Sequence, residues 1–262
     1  MNKPLVSVVM PVYNGERFLR DAIESILHQS FTDFEFIIID DGSNDTSVAI
    51  IKEYPDSRIR LIQNPVNLGI TQTLNTGIHQ AVGKYICRMD ADDVALPKRL
   101  QIQTAHLETH PKIAVLGSNT TVIDEIGQKA NDEYYPQTDR EIKSSIFTHN
   151  PFAHSSVMIR HSVLDELGVY DSGYLHNEDY DLWLRVATKH QLENLPHILL
   201  HRRVHGANIT VSKKVQLIQY RIKTLSNAIF NYYRKPYYIV YLLRPMTAYC
   251  VYLIRNLFKS SL

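Results

Sequence analysis

Apolar positions alternate between two rhythms over the first hundred residues. Leu5–Met10, Glu35–Asp40 and Arg58–Gln63 are short apolar runs of strand length. Between the first two, Phe18, Leu19, Ala22, Ile23, Ile26 and Leu27 fall on one stripe and predict a helix over Glu16–His28. A turn at Gly42 leads to a second helix ending at Lys52, with Ser43, Asp45 or Thr46 as its cap. A third helix is expected over Ile70–Ala81, closed by Gly83 as its C-cap, before a buried strand at Tyr85–Met89. Strand and helix in strict alternation predict a parallel sheet covered by helices, with Pro11 stopping the first strand.

The rhythm changes after residue 97. A helix over Pro97–His110 and a strand at Ile113–Ser118 give way to shorter pieces with polar connections, as in a sheet that gains antiparallel strands. Ser156–Arg160 and Ile198–His205 read as strands, and Ser162–Leu167 and Asn177–His190 as helices. In the last of these, Leu182, Trp183 and Val186 form the buried side. The fold class expected is α/β, a mostly parallel sheet with a mixed second half and a helical C-terminal extension. The boundary is placed at 1–211 and 212–262.

Charge sharpens this division. The net charge of +1 conceals a tail in which no Asp or Glu follows Glu193, while Lys and Arg number eleven from Arg202 to Lys259. Eight of the 16 tyrosines also lie beyond Lys213. Arg244 and Pro245 interrupt the apolar segment 237–258, which argues against a spanning helix. Peripheral association of residues 213–262 with an anionic membrane is expected, the alternative being helices packed on the domain or on a second copy. Nucleic acid is not expected as a partner, since it would leave the acidic clusters without a role. Cys87 and Cys250 have no spacing partner, and no signal peptide opens the chain. A cytoplasmic setting at the inner face of the membrane is therefore expected.

Ligands of such sheets bind beyond the carboxyl ends of the strands. Three polar clusters fall there: Pro11–Asn14, Asp40–Asp45 and Asp90–Asp93. In extended backbone Asp90 and Asp92 point to the same side, where a hard cation such as Mg²⁺ or Mn²⁺ would relieve their repulsion and hold a phosphate. An acidic turn capping the helix near Pro97 is the alternative. No glycine-rich loop follows the first strand, which argues against a dinucleotide-binding or P-loop domain.

PVYN at 11–14, DDGSND at 40–45, MDADD at 89–93 and NEDYDLWLR at 177–185 resemble, in order and spacing, the family 2 glycosyltransferases of GT-A fold. The resemblance covers roughly residues 4–210. It implies a metal-dependent inverting transfer of a sugar from a nucleoside diphosphate, most often UDP, to a glycan or lipid-linked acceptor. A nucleotidyltransferase on a related sheet is the other enzyme reading, but the basic phosphate loop it needs is not visible.

Residue by residue, the resemblance implies that Pro11, Val12 and Tyr13 line the uracil pocket and that Asp41 accepts from the uracil N3–H. It assigns Asp92 to the metal, Asp90 to the metal or the ribose, and Asp93 to bracing them. Asn75 is a possible nucleotide contact or a polar position on a helix face. Asp179, beside Glu178, would be the general base. Arg203, His205 and Asn208 would fold over the donor, with His205 at the metal or the diphosphate. His154 and Ser155 would lie on the acceptor side.

Overall fold

The computed structural model describes residues 3–206 and 214–250. Asn208 and the last stretch of the tail, 251–262, lie outside them. The amino-terminal half follows the predicted alternation: β1 (Val6–Val12), α1 (Leu19–Leu27), β2 (Phe34–Asp40), α2 (Ser47–Lys52), β3 (Ile59–Gln63), α3 (Ile70–Gln80) and β4 (Tyr85–Arg88). These strands run parallel in the order β3-β2-β1-β4. Valine and isoleucine fill β1 and β2 because both faces are covered, Ile37 and Ile39 packing on one side and Phe36 and Ile38 on the other.

Two local expectations are corrected. Pro11 does not end β1, which continues to Val12 with Pro11 aligned against Ile39. Gly83 is not a C-cap: the cap is Ala81 in extended conformation. Glycine at 83 serves close approach, because a Cβ there would meet Ser7 N at 2.6 Å.

The second half contributes β5 (Val94–Ala95), α4 (Arg99–Thr109), β6 (Ile113–Ile123), β7 (Lys129–Glu133) and α5 (Asp139–Ser145). They are followed by β8 (Met158–Arg160), α6 (His161–Leu167), α7 (Glu178–Val186) and β9 (Gln191–Arg203). Among the described residues the sheet has nine strands in the order β3-β2-β1-β4-β8-β6-β9-β5, with β7 on β6. β8 is antiparallel to β4 and β6, so the expected change to a mixed sheet occurs next to the strand that ends in the acidic cluster. Fully buried Arg99 and Gln103 of α4 stitch this junction. Arg99 Nη2 donates to Arg88 O at 2.8 Å, and Gln103 Nε2 donates to Ser156 O at 2.8 Å.

The tail is integrated with this half. α8 (Lys214–Asn227), a π-helical turn (Ala228–Tyr233) and a 3₁₀ helix (Pro236–Leu242) bury Leu225, Ala228, Ile229 and Leu242 in the core that also holds Leu182 and Trp183. Tyr233, Tyr238 and Tyr241 surround Phe147 with ring centroids 4.9, 4.7 and 5.3 Å away. Asp181, fully buried on α7, accepts from Tyr232 Oη at 2.9 Å. The alternative of helices packed on the domain thus accounts for one face of the tail. The other face exposes Phe230, Tyr237, Ile239, Val240, Leu243 and Met246. No helix among the described residues is long and apolar enough to cross a membrane.

Candidate active site

The carboxyl ends of β1, β2 and β4 form one edge of the sheet, and the loops leaving them are zipped together. Asn14 N donates to Ser43 Oγ at 2.9 Å, Asn44 N to Asn14 Oδ1 at 2.8 Å, and Gly15 N to Ser47 Oγ at 2.9 Å. Asn14 sits at φ 50°, a left-handed conformation asparagine tolerates. Pro11 and Val12 are buried beneath this turn and Tyr13 is 49% exposed, its ring open to a stacking partner. Gly42 makes the tight turn after β2 at φ 72°, with the 66–67 backbone against it.

Asp41 is buried and braces the following loop. Its Oδ1 accepts from Asn64 Nδ2 and Leu68 N, both at 2.8 Å, and its Oδ2 from Gly69 N at 2.9 Å. Oδ2, with one donor, retains capacity for another. Asn75 is engaged within the fold. Its amide accepts from Tyr170 N at 3.1 Å and donates to Tyr170 O at 2.8 Å, pinning the 168–177 loop to α3.

Beyond β4, Asp90, Asp92 and Asp93 bring carboxylate oxygens within 4.8 Å of one another. Burial and mutual repulsion raise Asp92 above the ordinary carboxylate range and push Asp93 up to about 8. Such a cluster of hard oxygen donors fits a divalent cation, which would relieve that repulsion. Asp93 is the braced member: Ser155 Oγ and Arg203 N, the latter at 2.8 Å, donate to it. Arg203 continues to Asp92 O at 2.9 Å and Asp21 Oδ2 at 2.9 Å. His205 Nε2 lies 2.9 Å from Asp92 Oδ2, so the late segment does reach the acidic cluster.

Two further acids, Glu178 and Asp179, begin α7. Asn177 precedes them at φ 66°, turning the chain so that Glu178 and Asp179 enter the site from the first helical turn. Glu178 is 7% exposed, and burial with the adjacent Asp179 charge pushes it up to about 8. Burial also raises Asp179, against the hydrogen bond from Asn150 Nδ2 at 2.6 Å, which favours its anion. Both acids of the pair are therefore held above the ordinary carboxylate range by burial, Glu178 further by its neighbour's charge. His154 lies 3.9 Å from Glu178 and contacts Tyr170 Oη at 2.8 Å. Burial holds His154 well below the usual imidazole range, so it is neutral there.

Three residues unassigned in the sequence complete this side: Asn150, Tyr170 and Arg88. Arg88, at the end of β4, ion-pairs with Asp90. An arginine buried two positions before an acidic cluster was the available signal for it. Asn150 and Tyr170 lie on irregular segments and carry no periodic pattern.

The comparisons agree with this geometry. Residues 7–168 match the model described as "Glycosyl transferase family 2". The chain is 39% identical over 229 residues to an uncharacterized glycosyltransferase of Methanocaldococcus jannaschii, covering 84% of this chain and 78% of that one. It is 30% identical over 215 residues to the amylovoran biosynthesis glycosyltransferase AmsE of Erwinia amylovora, covering 80% and 79%. Its fold is similar to that of S. aureus TarS in complex with UDP-GlcNAc, with a TM-score of 0.71, 19% identity and coverage of 87% of this chain and 67% of that one. It is also similar to the Pyrobaculum calidifontis mannosyltransferase PcManGT in complex with GDP-Man and Mn²⁺, with a TM-score of 0.65, 14% identity and coverage of 96% and 76%. A half-parallel sheet ending in a carboxylate cluster, faced by a buried acid pair on a later helix, is thus the GT-A architecture, and the chain belongs to the inverting glycosyltransferases of family 2.

Proposed function

We propose that this enzyme transfers a hexosyl or N-acetylhexosaminyl group from a UDP-sugar to a glycan or lipid-linked acceptor in surface polysaccharide biosynthesis. One observation carries the reading. The acidic cluster after β4 and the Glu178–Asp179 pair at the start of α7 are joined by one 3₁₀ turn, where Ser155 Oγ donates to Asp93 and His154 lies 3.9 Å from Glu178. Two sets of carboxylates, one suited to a cation-held diphosphate and one to a proton, are what an in-line displacement at an anomeric carbon requires.

Uridine binding falls to Pro11, Val12 and Tyr13, the ring of Tyr13 stacking on the base for about 0.5–1.5 kcal/mol. Asp41 Oδ2 accepts the uracil N3–H, which selects uracil over cytosine because an ionised carboxylate cannot donate. Asp90 and Asp92 would hold Mg²⁺ or Mn²⁺, with His205 at Asp92 on the same side, and the cation would supply positive charge beside the diphosphate of the donor. Asp179 takes the proton of the acceptor hydroxyl as that oxygen bonds to the anomeric carbon and the bond to phosphate breaks. The hydrogen bond from Asn150 Nδ2 favours the anion of Asp179, the form a base requires. Support for a surface polysaccharide comes from similarity to AmsE, a glycosyltransferase of amylovoran biosynthesis.

In this reading residues 1–211 carry the catalytic machinery and the 212–262 extension brings it to the inner face of an anionic membrane. The apolar face at Phe230, Tyr237, Ile239, Val240, Leu243 and Met246, beside Arg234, Lys235 and Arg244, supports that role.

A screen of nucleotide sugars by thermal shift and donor hydrolysis, with Mn²⁺ or Mg²⁺, tests the donor. A UDP-hexose or UDP-N-acetylhexosamine should stabilise the protein only with the cation and release UDP. Stabilisation by a different nucleotide alone, or release of pyrophosphate, would refute the reading.

A further inference from the structure

Between α5 and the 3₁₀ turn at His154–Ser156 the chain forms no strand or helix, yet it carries Asn150, whose Nδ2 donates to Asp179 Oδ2 at 2.6 Å. A segment without its own ladder holds a side chain in place only where other elements grip it. Three consecutive residues ahead of Asn150 are gripped in this way. Tyr180 Oη, on α7, donates to Ile146 O. The buried ring of Phe147 lies against Tyr233, Tyr238 and Tyr241 of the tail. Arg221, on α8, donates from Nη2 to Thr148 O.

Arg221 makes a second contact. Its guanidinium lies over the Tyr180 ring, 5.5 Å from the centroid. A planar guanidinium can donate in its plane while its face packs on an aromatic ring. One side chain from the tail therefore touches both the segment that carries Asn150 and the residue that follows Asp179. The tail holds α7 separately, through Tyr232 Oη and Asn227 Nδ2 on Asp181 Oδ1 at 2.9 and 3.4 Å. A change at Arg221 thus loosens the Asn150 segment without releasing the helix. The net contribution of one half-exposed hydrogen bond to global stability is small, so its effect is local.

We infer that Arg221 is a positioning residue for Asp179: anchored in the tail, it fixes the Thr148 carbonyl against the Tyr180 ring and so keeps the Asn150 amide in line with the Asp179 carboxyl. The inference deepens the function proposed above and rests on it for the part Asp179 plays in transfer. It also gives the inner face of the tail a task at the site, distinct from that of its exposed apolar face.

The Asn150–Asp179 bond can be followed without turnover. The side-chain amide signals of Asn150, assigned by their loss in Asn150→Ala, include a proton donated over a short distance to a carboxyl oxygen, which is deshielded relative to a solvated amide. In Arg221→Met, which keeps the stem but has no donor, that signal should move toward the solvated position. In Arg221→Lys, which can donate to the same carbonyl, it should stay near wild type. In the transfer assay Arg221→Met should lose about tenfold in kcat, with donor KM within about threefold and Tm within about 2 °C of wild type. Arg221→Lys should recover most of the rate. If Arg221→Met does not fold, Arg221→Gln, with its shorter stem, takes its place. An Asn150 signal unmoved in the variant without the guanidinium would overturn the inference. So would a moved signal with kcat unchanged, or a loss of kcat that follows a fall in Tm and that Arg221→Lys does not reverse. A wild type that transfers no sugar while its Asn150 signal still answers to Arg221 would instead overturn the proposed function and leave the tail's hold on Asn150 standing.

Discussion

The two sides of the site are built differently. On the proposed donor side, each loop follows directly from a parallel strand, and its residues are held by neighbours from adjacent loops, as in Asn14 to Ser43 or Asp41 to Leu68. On the proposed acceptor side, Asp179 is held by Asn150 from the irregular segment before β8, and its neighbour Glu178 is approached by His154 from the 3₁₀ turn that follows. The tail then clamps the same helix through Tyr232 and Asp181. A parallel sheet delivers its strand ends to one place by construction, whereas a buried acid in a mixed region depends on contacts from across the chain. The donor side should therefore tolerate loss of one brace better than the acceptor side tolerates loss of one neighbour of Asp179.

The sharpest way to separate the sides is Asp179→Asn. Transfer should fall about 10³-fold while UDP–Mn²⁺ affinity, by calorimetry, stays within about twofold. Wild-type turnover with the true acceptor would remove Asp179 from its role. Asp92→Ala should break the distinction, weakening metal-dependent UDP binding and lowering transfer by about 10²-fold or more in the same two assays.

pH sharpens the acceptor side further. Burial raises Asp179 and the Asn150 amide opposes it, so Asn150→Ala should raise its pKa and carry the acid limb of kcat to higher pH. An unmoved limb would mean that Asn150 does not tune the base. Stability carries a related sign. Glu178, raised to about 8 in the fold and ordinary when unfolded, binds more protons in the native state over the interval between, so stability falls as pH rises through it. Glu178→Gln should accordingly gain more in Tm at pH 8 than at pH 5. A gain independent of pH would contradict the assignment.

The smallest expected effect concerns the tail. Val240→Asp with Leu243→Glu should reduce co-sedimentation with anionic liposomes several-fold without altering donor hydrolysis, since both side chains are more than half exposed. Unchanged partitioning would defeat the membrane reading. Truncation near residue 211 is a poorer test, because it would also remove buried Leu225, Ala228 and Ile229 from the core.

The residue order alone carries the alternation of strands and helices up to β4, the change to a mixed sheet, the family, and the position of the acidic cluster. These features are written locally, in apolar period and in polar residues at strand ends. It also determined the charge of the tail, but not where that tail packs: Leu225 and Ile229 look like any amphipathic stripe until Phe147 and Trp183 lie beneath them. It took the assembled fold to show that Asn75 holds the Tyr170 backbone, that Asn150 bonds to Asp179, and that buried Arg88 ion-pairs with Asp90. The reason is physical. Hydrophobic periodicity records which face of an element is buried, whereas the ionisation of a buried carboxyl depends on charges and donors brought near it from distant parts of the chain.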